Sequence, residues 1–384
     1  MKIAIPKERR QGEGRVAASP ATVKKFRELG LEVIVEAGAG AASSIPDSAF
    51  ADAGATIAPD ARAALADADV VLKVQRPLTA AEGGPDELAL VKRGAVLIGT
   101  LSALTSRDQV AAYAQNGVTA FALELLPRIT RAQSMDILSS QSNLAGYKAV
   151  LDAAAEYGRI FPMMMTAAGT LPPARVIVLG AGVAGLQAIA TARRLGAIVT
   201  GYDVRPAVKE QVESLGAKFL DVDPAATAAA ETAGGYAREM GEDYQKKQEQ
   251  VLHESLKKQD IVICTALIPG RKAPVLVTEA MVADMRPGSV IVDLAVEQGG
   301  NCPLSRPGEV VETPNGVRIV GHINVPSRVA EDATAMYARN LLNFVAPLVD
   351  KETKALKIDW EDEIIKGCLV ARDGAVVHPA LTAS

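Results

Sequence analysis

The chain has 384 residues, a net charge of −4, 49% hydrophobic residues and only 4% aromatics; at about 150 residues per domain, that length predicts two domains, each with its own core. The slight acidity excludes a broad basic surface for nucleic acid. Cys264, Cys302 and Cys368 are far apart and form no C-x-x-C, which argues against a disulfide framework, a zinc site or a thiol redox pair and fits a reducing compartment.

The opening Met1-Lys-Ile-Ala-Ile-Pro-Lys-Glu-Arg-Arg reads as a strand entering a charged loop, with no signal-peptide core. Strands are predicted at Ile3 to Ile5, Glu32 to Glu36, Val70 to Val74, Ala95 to Ile98 and Val118 to Leu123, and helices near Ala21 to Leu29, Asp86 to Lys92 and Arg107 to Asn116. Strand and helix in alternation predict a doubly wound parallel sheet. A long helix from about Ser142 to Tyr157 leads out of this first domain. The charge-free runs 160–174 and 176–192 are shorter than the roughly 20 residues a membrane span requires, and Pro162, Pro172, Pro173 or glycines interrupt them. The chain itself is therefore expected not to cross a membrane.

The second domain opens on Arg175-Val-Ile-Val-Leu-Gly180-Ala-Gly182-Val-Ala-Gly185, a helix-like run, and Ile198-Val-Thr-Gly-Tyr-Asp203. A β-branched strand, a G-x-G-x-x-G turn opening a helix, and a carboxylate 23 positions after Gly180 form the order a dinucleotide-binding unit needs. Gly180 permits the tight turn, Gly182 lets the backbone approach a pyrophosphate, and Gly185 lets the helix lie close on the strand. From Val183 onward the first-turn amides face the phosphates. Asp203, flanked by Tyr202 and Val204, would accept from both ribose hydroxyls and repel a 2′-phosphate, so NAD(H) is expected over NADP(H); Arg205 weakens that preference slightly. Ala266 and Leu267, in Thr265-Ala-Leu-Ile-Pro-Gly270, close a later strand and are expected to line the adenosine side.

Further strands are predicted at Lys218 to Leu220, Ile261 to Ala266, Val290 to Leu294 and Val317 to Val320, then a helix from Ser327 to Phe344. The last forty or so residues are expected to return to the first domain. The expected fold class is thus α/β, two Rossmann-like doubly wound parallel-sheet domains separated by a cleft and bridged by long helices. Residues 1–141 with 328–384 form the first, and 142–327 the second. Asp293 and Glu297 are candidates for the junction between the lobes.

One segment breaks the rhythm: residues 223–245 are far longer than ordinary connections, as functional lids often are. Within it Tyr236 and Met240 sit four apart beside Gly234 and Gly235, a spacing that would put an apolar patch on a glycine-hinged flap. A solvated excursion explains the same residues. The stretch Arg128 to Asn143 concentrates polar groups after the C-terminal end of a strand, where Arg128, Gln133, Asp136 and Ser139 are candidates to meet a nicotinamide carboxamide and its ribose. Helix capping would account for one of them and leave the others wanting partners. Lys73, in an otherwise apolar strand, faces a cleft or snorkels to solvent, and Arg15 is paired with it as a candidate. His253, His322 and His378 have no triad spacing, and no metal motif is present.

These motifs resemble the NAD(H)-binding component, domain I or alpha subunit, of proton-translocating NAD(P) transhydrogenases. They are Ile-Pro-Lys-Glu-Arg at the start, Arg131-Ala-Gln-Ser-Met-Asp136-Ile-Leu-Ser-Ser-Gln-Ser-Asn, Phe161-Pro-Met-Met-Met-Thr, Gly180-Ala-Gly-Val-Ala-Gly-Leu-Gln, Ala233-Gly-Gly-Tyr236-Ala and Gly321-His-Ile-Asn-Val-Pro-Ser-Arg. The sister family, alanine dehydrogenase, shares some of them in looser form. It carries a histidine where this chain has Ser102 and an aspartate where this chain has Glu297, and Arg15 and Lys73 match its substrate-binding positions. Deamination of an amino acid moves protons and needs such a histidine. Hydride exchange between two nicotinamides moves none at the reacting carbons and demands mainly geometry.

The resemblance implies NADH bound by this chain, with Arg128, Gln133, Asp136, Ser139 and Tyr236 at the dihydronicotinamide, Gly235 and Met240 on a closing flap, and Asp203 on the ribose. It also implies NADP(H) on a separate partner component, a separate membrane-spanning proton-channel component, a homodimer, and a cytoplasmic location peripheral to the membrane through those partners. An amino-acid dehydrogenase and a non-enzymatic nucleotide sensor remain the alternatives.

Overall fold

The computed structural model describes residues 1–222, 241–268 and 270–382. The chain divides into two compact units, Met1–Gln141 with Ser327–Ser384, and Ser142–Pro326.

In the first unit the strands are β1 (Lys2–Ile5), β2 (Glu32–Glu36), β3 (Thr56–Ala58), β4 (Val70–Gln75), β5 (Val96–Thr100) and β6 (Thr119–Ala122). The second unit contributes an exposed two-stranded ribbon, β7 (Met164–Thr166) with β8 (Gly169–Leu171), and the sheet strands β9 (Arg175–Leu179), β10 (Ile198–Tyr202), β11 (Lys218–Phe219), β12 (Ile261–Cys264), β13 (Val290–Asp293), β14 (Val310–Glu312) and β15 (Arg318–Val320). The chain then returns to the first unit as β16 (Leu369–Arg372) and β17 (Ala375–Val376).

The first sheet runs β17-β16-β6-β5-β4-β1-β2-β3, and the second β11-β10-β9-β12-β13-β15-β14. Counted within each unit, the parallel strands follow the order 3-2-1-4-5-6 in both, the dinucleotide-fold order. Only the edges depart from it: β16 joins β6 antiparallel, and β14 joins β15 antiparallel.

Alternating burial explains why both sheets are covered on both faces. In the first unit Ile3, Ile5, Leu72, Val74, Ile98 and Phe121 pack into one core, while Ala4, Val71, Leu97 and Ala120 pack into another. In the second, Val176, Val178, Ile261 and Ile263 oppose Ile177, Leu179, Val262 and Cys264. Successive side chains point to opposite faces, and strands buried on both faces read as continuous apolar runs.

Several boundaries differ from expectation. The helix predicted near Asp86 to Lys92 is only a 3-10 turn, Leu88–Leu90, after a similar turn at Ala80–Glu82; Gly83, Gly84 and Pro85 precede it and disfavour a regular helix. The long helix begins at Ile137 rather than Ser142 and ends at Glu156. The second long helix is Ala330–Val345, preceded by a 3-10 stretch at Val325–Val329. Residues 242–245, expected to belong to the loop, already lie in the helix Glu242–Leu256. The short strands β3, β7, β8, β14, β16 and β17 were not anticipated. Among the described residues no helix is long and apolar enough to cross a membrane.

Candidate functional site

The turn after β9 is built from three glycines that serve different purposes. Gly180 has φ +96°, open to glycine and strained for other residues. At Gly185 an added Cβ would overlap the Gly180 carbonyl oxygen, so packing of the helix Val183–Arg194 on its strand forbids one. Neither reason applies to Gly182 among the described residues: its φ is −74°, and an added Cβ would meet there only a guanidinium nitrogen of Arg205 at 3.9 Å. Among the described residues the space beside Gly182 is open.

Gly182 also starts the helix without any side-chain cap. Uncapped first-turn N–H groups, with the positive end of the helix dipole, make an anion site. Gly146 brings the long helix against this turn, where an added Cβ would overlap the Ala184 carbonyl oxygen. Such a cradle suits a pyrophosphate by its chemistry.

Asp203 ends the next strand, 7% exposed. One carboxylate oxygen accepts from the Ala181 N–H at 2.8 Å and ties the carboxylate to the glycine turn. Arg205 donates to Asp203 from its backbone N–H, Nε and Nη2 at 2.9, 2.9 and 2.8 Å. Val204 lines a cavity of about 140 Å³ with Asp203, Pro206, Lys209, Phe219 and Tyr244. Tyr202 sits between the sheet core and the glycine turn. Its side chain is 2% exposed in the sheet core, and its contribution to the turn is the carbonyl that accepts from the Gly180 N–H at 2.8 Å.

The loop after β12 closes the other side. Thr265 donates from Oγ1 to the Gly180 carbonyl at 2.7 Å. The Ala266 peptide is gripped at both ends by Asn301, whose Oδ1 accepts from the Ala266 N–H at 3.1 Å and whose Nδ2 donates to the Ala266 carbonyl at 2.9 Å and the Pro274 carbonyl at 2.7 Å. Leu267 and Val183 are exposed.

Asn301 is held in turn by a loop that folds around Asp293, which accepts from the N–H groups of Ala295 and Cys302 and from the Ser305 hydroxyl. Asp293 is 0% exposed and anchors a loop within the second unit. Glu297 accepts from the Asn324 N–H at 2.9 Å, also within that unit. Sequence reasoning missed Asn301, because an asparagine after two glycines looks like any loop residue.

In the first unit, Asp136 and Ser139 prove to be partners. Asp136 accepts from the Ser139 N–H at 2.9 Å and from its hydroxyl at 2.5 Å, which is the capping geometry of a helix start and the reason the long helix begins at Ile137. Capping thus accounts for two residues, not one. Arg128 and Gln133 lie on exposed surface of the same segment. At Ser102 the backbone is left-handed, φ +52°. Glu124 accepts from the Leu101 and Ala103 N–H groups on either side and is pushed up by burial against the pull of those bonds.

Lys73 fits neither sequence alternative. It is 2% exposed and contacts both Glu87 oxygens at 3.1 and 3.0 Å and Glu8 at 3.3 Å. Burial raises the Glu8 carboxyl's pKa in spite of Lys73. Arg15, also buried, pairs with Glu13 at 2.8 and 2.7 Å and donates to Gln141 at 2.8 Å. Burial pushes Glu13 up, but the hydrogen bonds and charge of Arg15 more than reverse this and hold it below the usual range. A lysine inside an apolar strand signals that buried acids must pair with it, though not which ones. Gly235, Tyr236 and Met240 lie outside the described residues, as does Pro269.

Residues 4–145 match the family described as alanine dehydrogenase/PNT, N-terminal domain, and residues 149–379 match its C-terminal domain. The chain is 66% identical over 382 residues to an NAD(P) transhydrogenase alpha-subunit chain of Rhodospirillum rubrum, covering 100% of this chain and 99% of that one. The crystal structure of transhydrogenase from Sinorhizobium meliloti superposes with a TM-score of 0.88 at 51% identity, over 98% of this chain and 100% of that one. Similarity to the alanine dehydrogenase of Mycobacterium tuberculosis is weaker, 32% identity over 92% of this chain and 89% of the relative.

Proposed function

We propose, for a chain that belongs to the alanine dehydrogenase/PNT family, that it is the NAD(H)-binding component of a transhydrogenase and presents NADH to NADP+ held by a separate component. The observation that carries this reading is Gly182: an open backbone position where, among the described residues, neither conformation nor packing requires a glycine, at the mouth of an uncapped helix. When bound, NADH supplies a hydride from its nicotinamide C4. The chain's own role is to hold the pyrophosphate on backbone amides, to accept ribose hydroxyls on Asp203, and to keep the turn rigid through Thr265 and Asn301. No proton moves at the reacting carbons, which is consistent with Ser102 standing where the sister family has a histidine.

Arg128, Gln133, Asp136 and Ser139 belong to the proposal as the groups that meet the dihydronicotinamide. So do a proton-channel component in the membrane, a cytoplasmic location peripheral to that membrane, and a homodimer. The exposed Met163, Met164, Met165 and Leu171 on and beside the β7–β8 ribbon form an apolar surface that supports the last of these.

The test is titration with NADH, followed by an assay of hydride transfer with an NADP(H)-binding transhydrogenase component supplied. NADH binding with transfer only when that component is present is the expected result; absence of NADH binding overturns the reading. Arg15 and Lys73, which stand at positions that bind substrate in the sister family, keep open a second reading, an alanine dehydrogenase-like enzyme, although both are ion-paired within the chain. Oxidation of NADH by pyruvate and ammonia with this chain alone would establish it in place of the first.

A further inference from the structure

The Asp203 carboxylate has about four in-plane acceptor sites, and four protein donors converge on it. The Ala181 N–H and Arg205 Nη2 reach one oxygen, each at 2.8 Å, and the Arg205 backbone N–H and Nε reach the other, each at 2.9 Å. Two of these are backbone donors fixed by the glycine turn and the strand end. The other two belong to a single side chain, and its guanidinium stands 3.9 Å from where a Cβ on Gly182 would be. Among the side chains of the described residues, a ribose diol directed at Asp203 therefore competes with Arg205. The charge that would repel a 2′-phosphate is neutralised by the same group.

We infer that Arg205 is a specificity-determining residue: its guanidinium yields Asp203 to the ribose hydroxyls of NAD(H), and beside Gly182 it offers a cation to the 2′-phosphate of NADP(H). The pocket then discriminates between the two coenzymes less sharply than Asp203 alone would. This rests on the NAD(H)-binding reading above. The fork of an arginine suits both tasks, since it matches a carboxylate or a phosphate in two-point geometry, whereas a lysine supplies only a point charge.

The experiment is titration of the whole chain and of Arg205→Gln and Arg205→Lys with NADH and NADPH, followed by nucleotide fluorescence. In Arg205→Gln, the ratio of the NADPH to the NADH dissociation constant is expected to rise about tenfold, equivalent to about 1.4 kcal/mol, with NADH bound as tightly as before or more tightly. Arg205→Lys should fall between. A ratio unchanged in both variants means that Arg205 is only a structural partner of Asp203 and overturns the inference. So does NADH binding that weakens in parallel with NADPH binding. If the wild-type chain binds no NADH, the functional reading itself fails, which separates the two failures.

Discussion

The two sheets share one strand order and end differently at the same topological point. In a doubly wound sheet the crevice opens outside the carboxyl ends of the strands where the order reverses, here beyond β1 and β4 in one unit and beyond β9 and β12 in the other. The first unit fills that point with its own charges: Lys73 between Glu8 and Glu87, and Arg15 against Glu13. The second lines it with peptide groups, held by Thr265, Asn301 and Asp203, and leaves room beside Gly182. A common architecture thus supports a closed ionic core in one place and a ligand cradle in another, and function follows from what stands at the strand ends rather than from the fold.

The comparison breaks most visibly at Lys73. Lys73→Met leaves the buried Glu8 without its cation and Glu87 with Arg9 alone, at 3.4 Å, a loss expected at about 3–5 kcal/mol. Urea unfolding followed by Trp360, the one tryptophan in the sequence and a residue packed against the first unit's core, should show it while NADH affinity stays unchanged. An unaltered midpoint would remove the ionic core from the account.

Gly185→Ala is the converse experiment. Its methyl group meets the Gly180 carbonyl, at a cost of about 3 kcal/mol, and NADH binding should be lost while the Trp360 transition is retained. If the variant binds NADH normally, the turn is looser than its geometry implies.

A smaller effect is expected from Asn301→Ala, which frees both ends of the Ala266 peptide and costs about 1–3 kcal/mol. NADH affinity should weaken, and Asn301→Asp, which keeps an acceptor for the Ala266 N–H, should recover some of it. Equal losses in the two variants would mean that the grip on that N–H contributes nothing.

The smallest effect is in acid. Because Arg15 holds Glu13 below its ordinary value of 4.5, the folded form binds fewer protons there than the unfolded chain. Stability from the pair is present above pH 4.5 and declines as the pH falls below it. Glu13→Gln should flatten that portion of a melting-temperature profile between about pH 5 and 3. A profile as steep as the wild type's would place the acid sensitivity elsewhere.

What the amino-acid sequence disclosed divides along local and long-range lines. The apolar runs of β1, β2, β4, β5, β9 and β10 and the glycine turn are local patterns, and all were legible. The antiparallel addition of β16 was not, because its partner Phe121 lies 248 positions from Leu369. Lys73 announced a need for acids, but Glu8 lies 65 positions away on another loop, and no spacing rule reaches it. Asp136 and Ser139 show the opposite difficulty. Three residues apart, they suit a cap and a ligand site equally well, and only coordinates reveal that they bond to each other.

The cradle around Gly182 has a consequence for how this chain tolerates mutational drift. Ligating groups made of main chain are encoded by no particular side chain, so exchanges at the exposed Val183 leave the donors in place, whereas any side chain at Gly182 occupies the space the cradle needs. A saturation library selected for retained coenzyme capture should show near-complete intolerance at Gly180, Gly182 and Gly185, with the exposed Val183 permissive between them.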